Sequence, residues 1–155
     1  VGVPADLLLD TGHPAGLRMI ERGAFDDPTS PRTAVLIECG QHWEKRAVDV
    51  AIDTALRFLI VTGAVDESWA RPKLRLAPPP AQRVLRVTEP VVAKSMEFRF
   101  AKPWGGLEVV PRAGTPVAYD GDTEWRTPYD ECVMVMPSLK HLKPGTTMVR
   151  LGRYI

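Results

Sequence analysis

The pattern of apolar and polar positions changes character part-way along the chain. Ala34-Val-Leu-Ile37 is an apolar run, and residues 33–38 read as a buried strand closing in Glu38, with Gly40 just beyond. Residues 45–62 carry the clearest helical period. Ala47, Val48, Ala51, Ile52, Ala55, Leu56 and Leu59 recur on one stripe, while Lys45, Arg46, Asp49, Asp53 and Arg57 fall mostly elsewhere. Gly63 follows as a cap. Upstream, residues 4–10 read as a short strand closed by the turn Thr11-Gly-His-Pro14, residues 15–22 as a short helix, and Asp26 to Arg32 as a loop.

Beyond Gly63 the helical period is lost. Residues 64–83, with three consecutive prolines at 78–80, predict an extended linker. From residue 84 onward, short alternating runs are divided by glycine and proline. The candidate strands are 84–88, 91–93, 96–101, 107–110, 116–119, 131–136 and 147–151. Short strands at near-regular spacing predict a small barrel or sandwich. The expected class is therefore α+β. Residues 1–63 form part of an α/β domain, 64–83 a linker and 84–155 a β-rich domain.

Composition narrows the function classes. The chain has 155 residues, 45% of them hydrophobic, enough for one ordinary core or two small ones. Twenty basic residues against nineteen acidic give a net charge of +1, which argues against a nucleic-acid or membrane-surface binder. No apolar run is long enough to span a bilayer. Cys39 and Cys132 form no CxxC; they are compatible with a disulfide, or read as two buried free thiols in a reducing cytoplasm. A start of Val1-Gly-Val-Pro4 reads as an internal piece of a longer protein.

Glu38 is the first candidate for chemistry. A carboxylate directly after a buried strand is costly unless paired or used, and reactive groups in α/β sheets collect at carboxyl strand ends. It would be a general base acting on a water; otherwise it is a strand-end carboxylate bonded to amides or an arginine. Arg18 could clamp a substrate carboxylate or polarise a carbonyl, or be a surface arginine. His13, His42 and His141 lie in turns and loops, and no HExxH or HxxE brings ligands together, so no metal site is expected from these residues. Lys94 in Val92-Ala-Lys-Ser-Met96 lacks the flanks of a biotinyl or lipoyl lysine hairpin. Met134-Val-Met136-Pro137 reads as a core strand entering a loop.

Several segments occur in a telling order: Pro4-Ala-Asp-Leu-Leu-Leu9, Pro14-Ala-Gly-Leu-Arg18, Val35-Leu-Ile-Glu-Cys-Gly40, the helix at 45–62, Gly105-Gly-Leu-Glu-Val109, Gly114-Thr-Pro-Val-Ala-Tyr-Asp-Gly121 and Met136-Pro137. Together they resemble the C-terminal part of the succinylglutamate desuccinylase/aspartoacylase family of zinc-carboxypeptidase-like enzymes. The resemblance implies that Glu38 is the catalytic glutamate and that Arg18 contacts substrate. The implied zinc ligands, a His-x-x-Glu pair and a later histidine, lie upstream of this chain, so zinc belongs to the full-length protein and none is expected on this segment. The implied activity is hydrolysis of an N-acyl amino acid or related amide, absent from the chain alone. The alternative is a non-catalytic β-rich binding or assembly module. An incomplete sheet leaves unpaired edges, which predicts self-association.

Overall fold

The computed structural model describes residues 1–10, 17–77 and 81–155. The chain divides into two units, one of Val1–Leu7 with Thr11–Arg83, the other of Leu8–Asp10 with Val84–Ile155. The secondary structure is mixed α and β, as the sequence predicts. No helix among the described residues is long and apolar enough to cross a membrane.

Strand β1 (Asp6–Leu9) is divided between the units, with Asp6 and Leu7 in the first, whose longest element is helix α1 (Lys45–Val61). Helix α1 ends where predicted. Gly63 takes φ +70, a left-handed conformation open to glycine at little cost, and the Ala64 amide reaches back to the Leu59 carbonyl at 2.9 Å. The buried face is not the predicted one. Ala47, Val50, Asp53 and Thr54 are buried, whereas Val48, Ala51 and Ala55 are exposed and Ile52, Leu56 and Leu59 only half-buried. The segment 74–77 draws the helix round. Asp53 accepts the amides of Arg75 (2.7 Å) and Leu76 (3.0 Å), Arg57 donates to the Leu76 carbonyl (3.0 Å), and Arg75 pairs with Asp49 (2.8 Å).

Three further expectations are corrected in this unit. Residues 33–40 form no strand, and Val35 and Leu36 are 46% and 57% exposed. A strand requires a ladder partner, and the run has none among the described residues. The described part of 15–22 is not an α-helix but a 3-10 turn, Met19–Glu21, followed by another at Gly23–Phe25. The 64–83 segment is not wholly extended. Helix α2 (Glu67–Ala70) runs into a 3-10 turn at Arg71–Lys73, braced by the Glu67–Arg71 ion pair.

The second unit holds β2 (Arg83–Val92, from Val84 on), β3 (Arg99–Phe100), β4 (Glu108–Val110), β5 (Pro116–Asp120), β6 (Thr123–Arg126), β7 (Cys132–Val135) and β8 (Thr147–Tyr154). The runs 84–88 and 91–93 are one strand, bent by register shifts at Val87/Glu89 and Val91/Val92. Strand β6 was not expected, and 96–101 contributes only Arg99–Phe100. One sheet has the order β1-β2-β8-β7-β4, with β1 contributing Leu8 and Leu9 to this unit; the other has the order β3-β5-β6. The pairings of β2 with β8, β4 with β7 and β7 with β8 are antiparallel. The core joins Val91, Val110, Cys132, Met134, Met148, Val149 and Leu151 of the larger sheet to Val117 and Ala118 of the smaller, with Phe98 against Phe100 edge-on at 5.3 Å. Burying each large aliphatic side chain contributes roughly 1.5–3 kcal/mol. Strand β8 lies in the middle of the sheet, and its Gly152 lets the chains close up. A Cβ there would stand 2.8 Å from the Arg86 carbonyl oxygen.

Candidate functional site

The first unit carries both residues singled out for catalysis. Arg18 precedes the Met19–Glu21 turn, and its neighbour three residues on captures it. The Arg18 amide donates to Glu21 Oε2 at 2.7 Å, and the guanidinium Nε donates to Oε1 at 2.9 Å, with Nη2 on the same oxygen. These bonds hold the Glu21 carboxyl below its ordinary range, the guanidinium hydrogen bonds contributing most. The arrangement fixes the direction of the Arg18 side chain at a turn that has no buried residue of its own. Sequence reading missed Glu21; the i, i+3 spacing of opposite charges was the available signal.

Glu38 is exposed, at the end of the unpaired 33–38 run. It has no hydrogen-bond or ion-pair partner among the described residues, and no bond joins it to Arg18. The carboxylate is thus uncommitted: both oxygens are open to water or to another group. Cys39 beside it is half-buried, and His42 is exposed in the turn before α1. His13 lies outside the described residues. Among the described residues no group of three His, Cys, Asp or Glu side chains could hold a metal ion. Of the carboxylates in this unit, Asp53 is engaged by two amides and Glu21 by Arg18.

The second unit holds polar clusters that build structure. Asp120 is buried and accepts the amides of Lys94 (2.5 Å) and Ser95 (3.3 Å) and the Ser95 hydroxyl (2.5 Å). These bonds, the Ser95 hydroxyl first, hold its carboxyl below the ordinary range. Lys94 is accordingly a turn residue: its ammonium reaches the Thr123 hydroxyl at 3.3 Å and lies 5.4 Å from the centre of the Trp125 ring. Tyr129 bonds the Thr88 hydroxyl at 2.6 Å beneath the Arg153 guanidinium, 4.4 Å from its ring centre, and burial raises its phenol. Burial also pushes the Cys132 thiol up to about 11. Met134 is buried and Met136 exposed with φ +53, as expected of a core strand entering a loop. His141 is exposed in a loop.

No protein-family model matches the chain, and no curated protein matches it. The solved structure of a succinylglutamate desuccinylase from Vibrio parahaemolyticus is similar at 18% sequence identity and a TM-score of 0.49, over 79% of this chain and 33% of that one. The chain therefore spans about a third of the length of that desuccinylase.

Proposed function

We propose that this chain is the C-terminal segment of a zinc-dependent amidohydrolase that cleaves an N-acyl amino acid or related amide. Glu38 would be its general base and Arg18 its substrate-binding residue. The order of sequence segments suggests the reading. The observation that carries it is the state of residues 33–40: an apolar run with an unpaired backbone, ending in a carboxylate with no partner. A strand of a larger sheet would be left in this state, and so would the uncovered stripe of α1. In the intact enzyme Glu38 takes a proton from the attacking water and delivers it to the leaving amine. Arg18, aimed by Glu21, holds the substrate's carboxylate or carbonyl. The metal of the intact enzyme would be held by residues other than the described ones.

The test uses the protein extended upstream, assayed on N-acetyl and N-succinyl amino acids. Glu38→Gln should lower kcat by about 10²- to 10⁴-fold, the usual contribution of general-base catalysis, with a smaller effect on KM. Near-wild-type turnover by that variant refutes the base. Turnover by residues 1–155 alone refutes the need for an upstream metal site.

The same unpaired run also favours a second reading, a β-rich assembly module. A cytoplasmic enzyme and an assembly module are separated by whether any acyl substrate is turned over by the extended protein.

A further inference from the structure

Strand β4 closes one end of the larger sheet, and its backbone faces two ways. The Leu107 amide bonds the Met134 carbonyl at 2.7 Å, Val109 stands opposite Val133, and the Pro111 carbonyl takes the Glu131 amide at 3.2 Å, so these three residues address β7. Val110, between them, turns its N–H and C=O to the free edge, and Glu108 turns its C=O the same way. The Arg112 N–H joins them, because it lies across its peptide plane from the Pro111 carbonyl. The other two edge groups are satisfied within the chain: the Glu108 amide by the Gly105 carbonyl (3.3 Å), and the Arg112 carbonyl by the Thr115 and Thr127 hydroxyls (2.7 and 2.8 Å). Two donors and two acceptors are left with no bond among the described residues, although Val110 is only 4% exposed.

These groups border a groove of about 500 Å³. Val110, Trp104, Pro116 and Tyr119 line it, and Trp104 is pinned by its Nε1 bond to the Val117 carbonyl at 2.9 Å. We propose that the groove binds an extended acidic peptide segment of another protein, which adds to β4 as a further strand. A guest strand running antiparallel meets all four free groups. One of its residues exchanges two bonds with Val110, the residue two before accepts from the Arg112 amide, and the residue two after donates to the Glu108 carbonyl. Paired residues share a face, so the guest side chain opposite Val110 enters the groove beside Trp104 and Pro116, which calls for an apolar one. Opposite Arg112 the guest meets a guanidinium with no partner among the described residues. Lys102 is already paired with Glu108 at 2.6 Å, so Arg112 supplies the uncompensated charge and selects Asp or Glu two residues before the apolar one. The recess selects a segment over a second copy of this chain: an edge lying in a groove admits one thin strand, but not another edge recessed in the same way. No residue assigned to hydrolysis lines the groove, so the inference is independent of that reading.

The test titrates the 155-residue chain with the blocked peptide Thr-Glu-Thr-Leu-Thr-Thr and follows the backbone amides by NMR. Saturable shifts centred on Val110 and Arg112 are expected. Replacing the peptide's Glu by Lys should weaken binding about tenfold or more, and R112E should reverse that preference. N-methylation of the peptide's Leu removes the donor to the Val110 carbonyl and should weaken binding about tenfold with the protein unaltered. The absence of saturable shifts at peptide concentrations on the order of millimolar overturns the proposal. So does equal affinity for the Glu and Lys peptides, or for the N-methylated one. Val110 and Arg112 amides already protected from exchange without peptide overturn it too, whether a dimer seen in sedimentation covers them or, in the protein extended upstream, another part of its own chain.

Discussion

Asp53 Oδ1 accepts the backbone N–H of Arg75 at 2.7 Å, joining the middle of α1 to a segment that follows α2. Oδ2 takes the Leu76 amide, and Arg57 Nη2 lies 3.7 Å from that oxygen. The carboxylate is wholly buried, so its removal strands two amides and leaves the largely buried Arg57 without its nearest anion. Asp53→Ala should destabilise the first unit by about 3 kcal/mol, and Asp53→Asn by less, because an amide oxygen can keep one of the two bonds. Hydrogen exchange at the Arg75 and Leu76 amides gives the check. Protection unchanged in the alanine variant would show that these bonds do not hold the segment.

Asp120 makes the second unit sensitive to acid. Its folded-state affinity for a proton lies below the ordinary aspartate value of 3.8, because the charged form accepts the Ser95 hydroxyl and two amides. A depressed carboxyl contributes stability that is complete above the unfolded value and is lost as pH falls through the folded one. Stability should therefore drop on acidification below about pH 4, and Asp120→Asn should be less stable at neutral pH with a shallower acid limb. Glu108, held down by Lys102 and the Gly105 amide, adds to the same limb. Denaturant midpoints measured at several pH values decide the matter; parallel curves for the two proteins would exclude Asp120.

The two thiols should differ in reactivity. Cys132 is buried in β7 with its thiol pushed up to about 11, whereas Cys39 is half-buried beside the unpaired run. The thiolate is the reacting form, so a rise from 9.0 to about 11 leaves roughly a hundredfold less of it at neutral pH. Native protein should titrate one thiol quickly with an aromatic disulfide reagent, and a second only on unfolding. Rapid modification of both in the native state would contradict the burial of Cys132.

Gly152 is the tightest point of the larger sheet, opposite Val87 on one side and Val133 on the other. Gly152→Ala forces a methyl group against the Arg86 carbonyl oxygen, a backbone atom that cannot swing aside. A loss of about 1–3 kcal/mol is expected, the usual cost of overpacking. Equilibrium unfolding measures it, and an unchanged midpoint would mean that β2 and β8 can separate freely here.

How far the sequence revealed this depends on what each element needs from elsewhere. Helix α1 closes its own hydrogen bonds, so its span was legible from its period. Its buried face was not, because Asp53 is recruited by amides more than twenty residues away, which the period cannot register. Strands β4, β5, β7 and β8 were legible because alternation and turn residues coincide. Strand β6 was hidden by its composition: Thr123-Glu-Trp-Arg126 carries two charges and one aromatic. The run 34–37 has the composition of a buried strand but lacks a neighbour, and a strand is a property of a pair. At the candidate site the sequence pointed to Glu38 and Arg18 but not to Glu21, whose role appears only once the turn brings its carboxylate onto the guanidinium.

The central place of β8 also sets a schedule. As the chain elongates, β2 and β7 emerge first, and in the finished sheet neither touches the other; both lie against residues 147–154. Until that stretch leaves the ribosome, β2 and β7 each keep one edge open. The larger sheet therefore closes only after residues 147–154 have emerged, and chaperones that shield exposed strands have their opportunity in that interval.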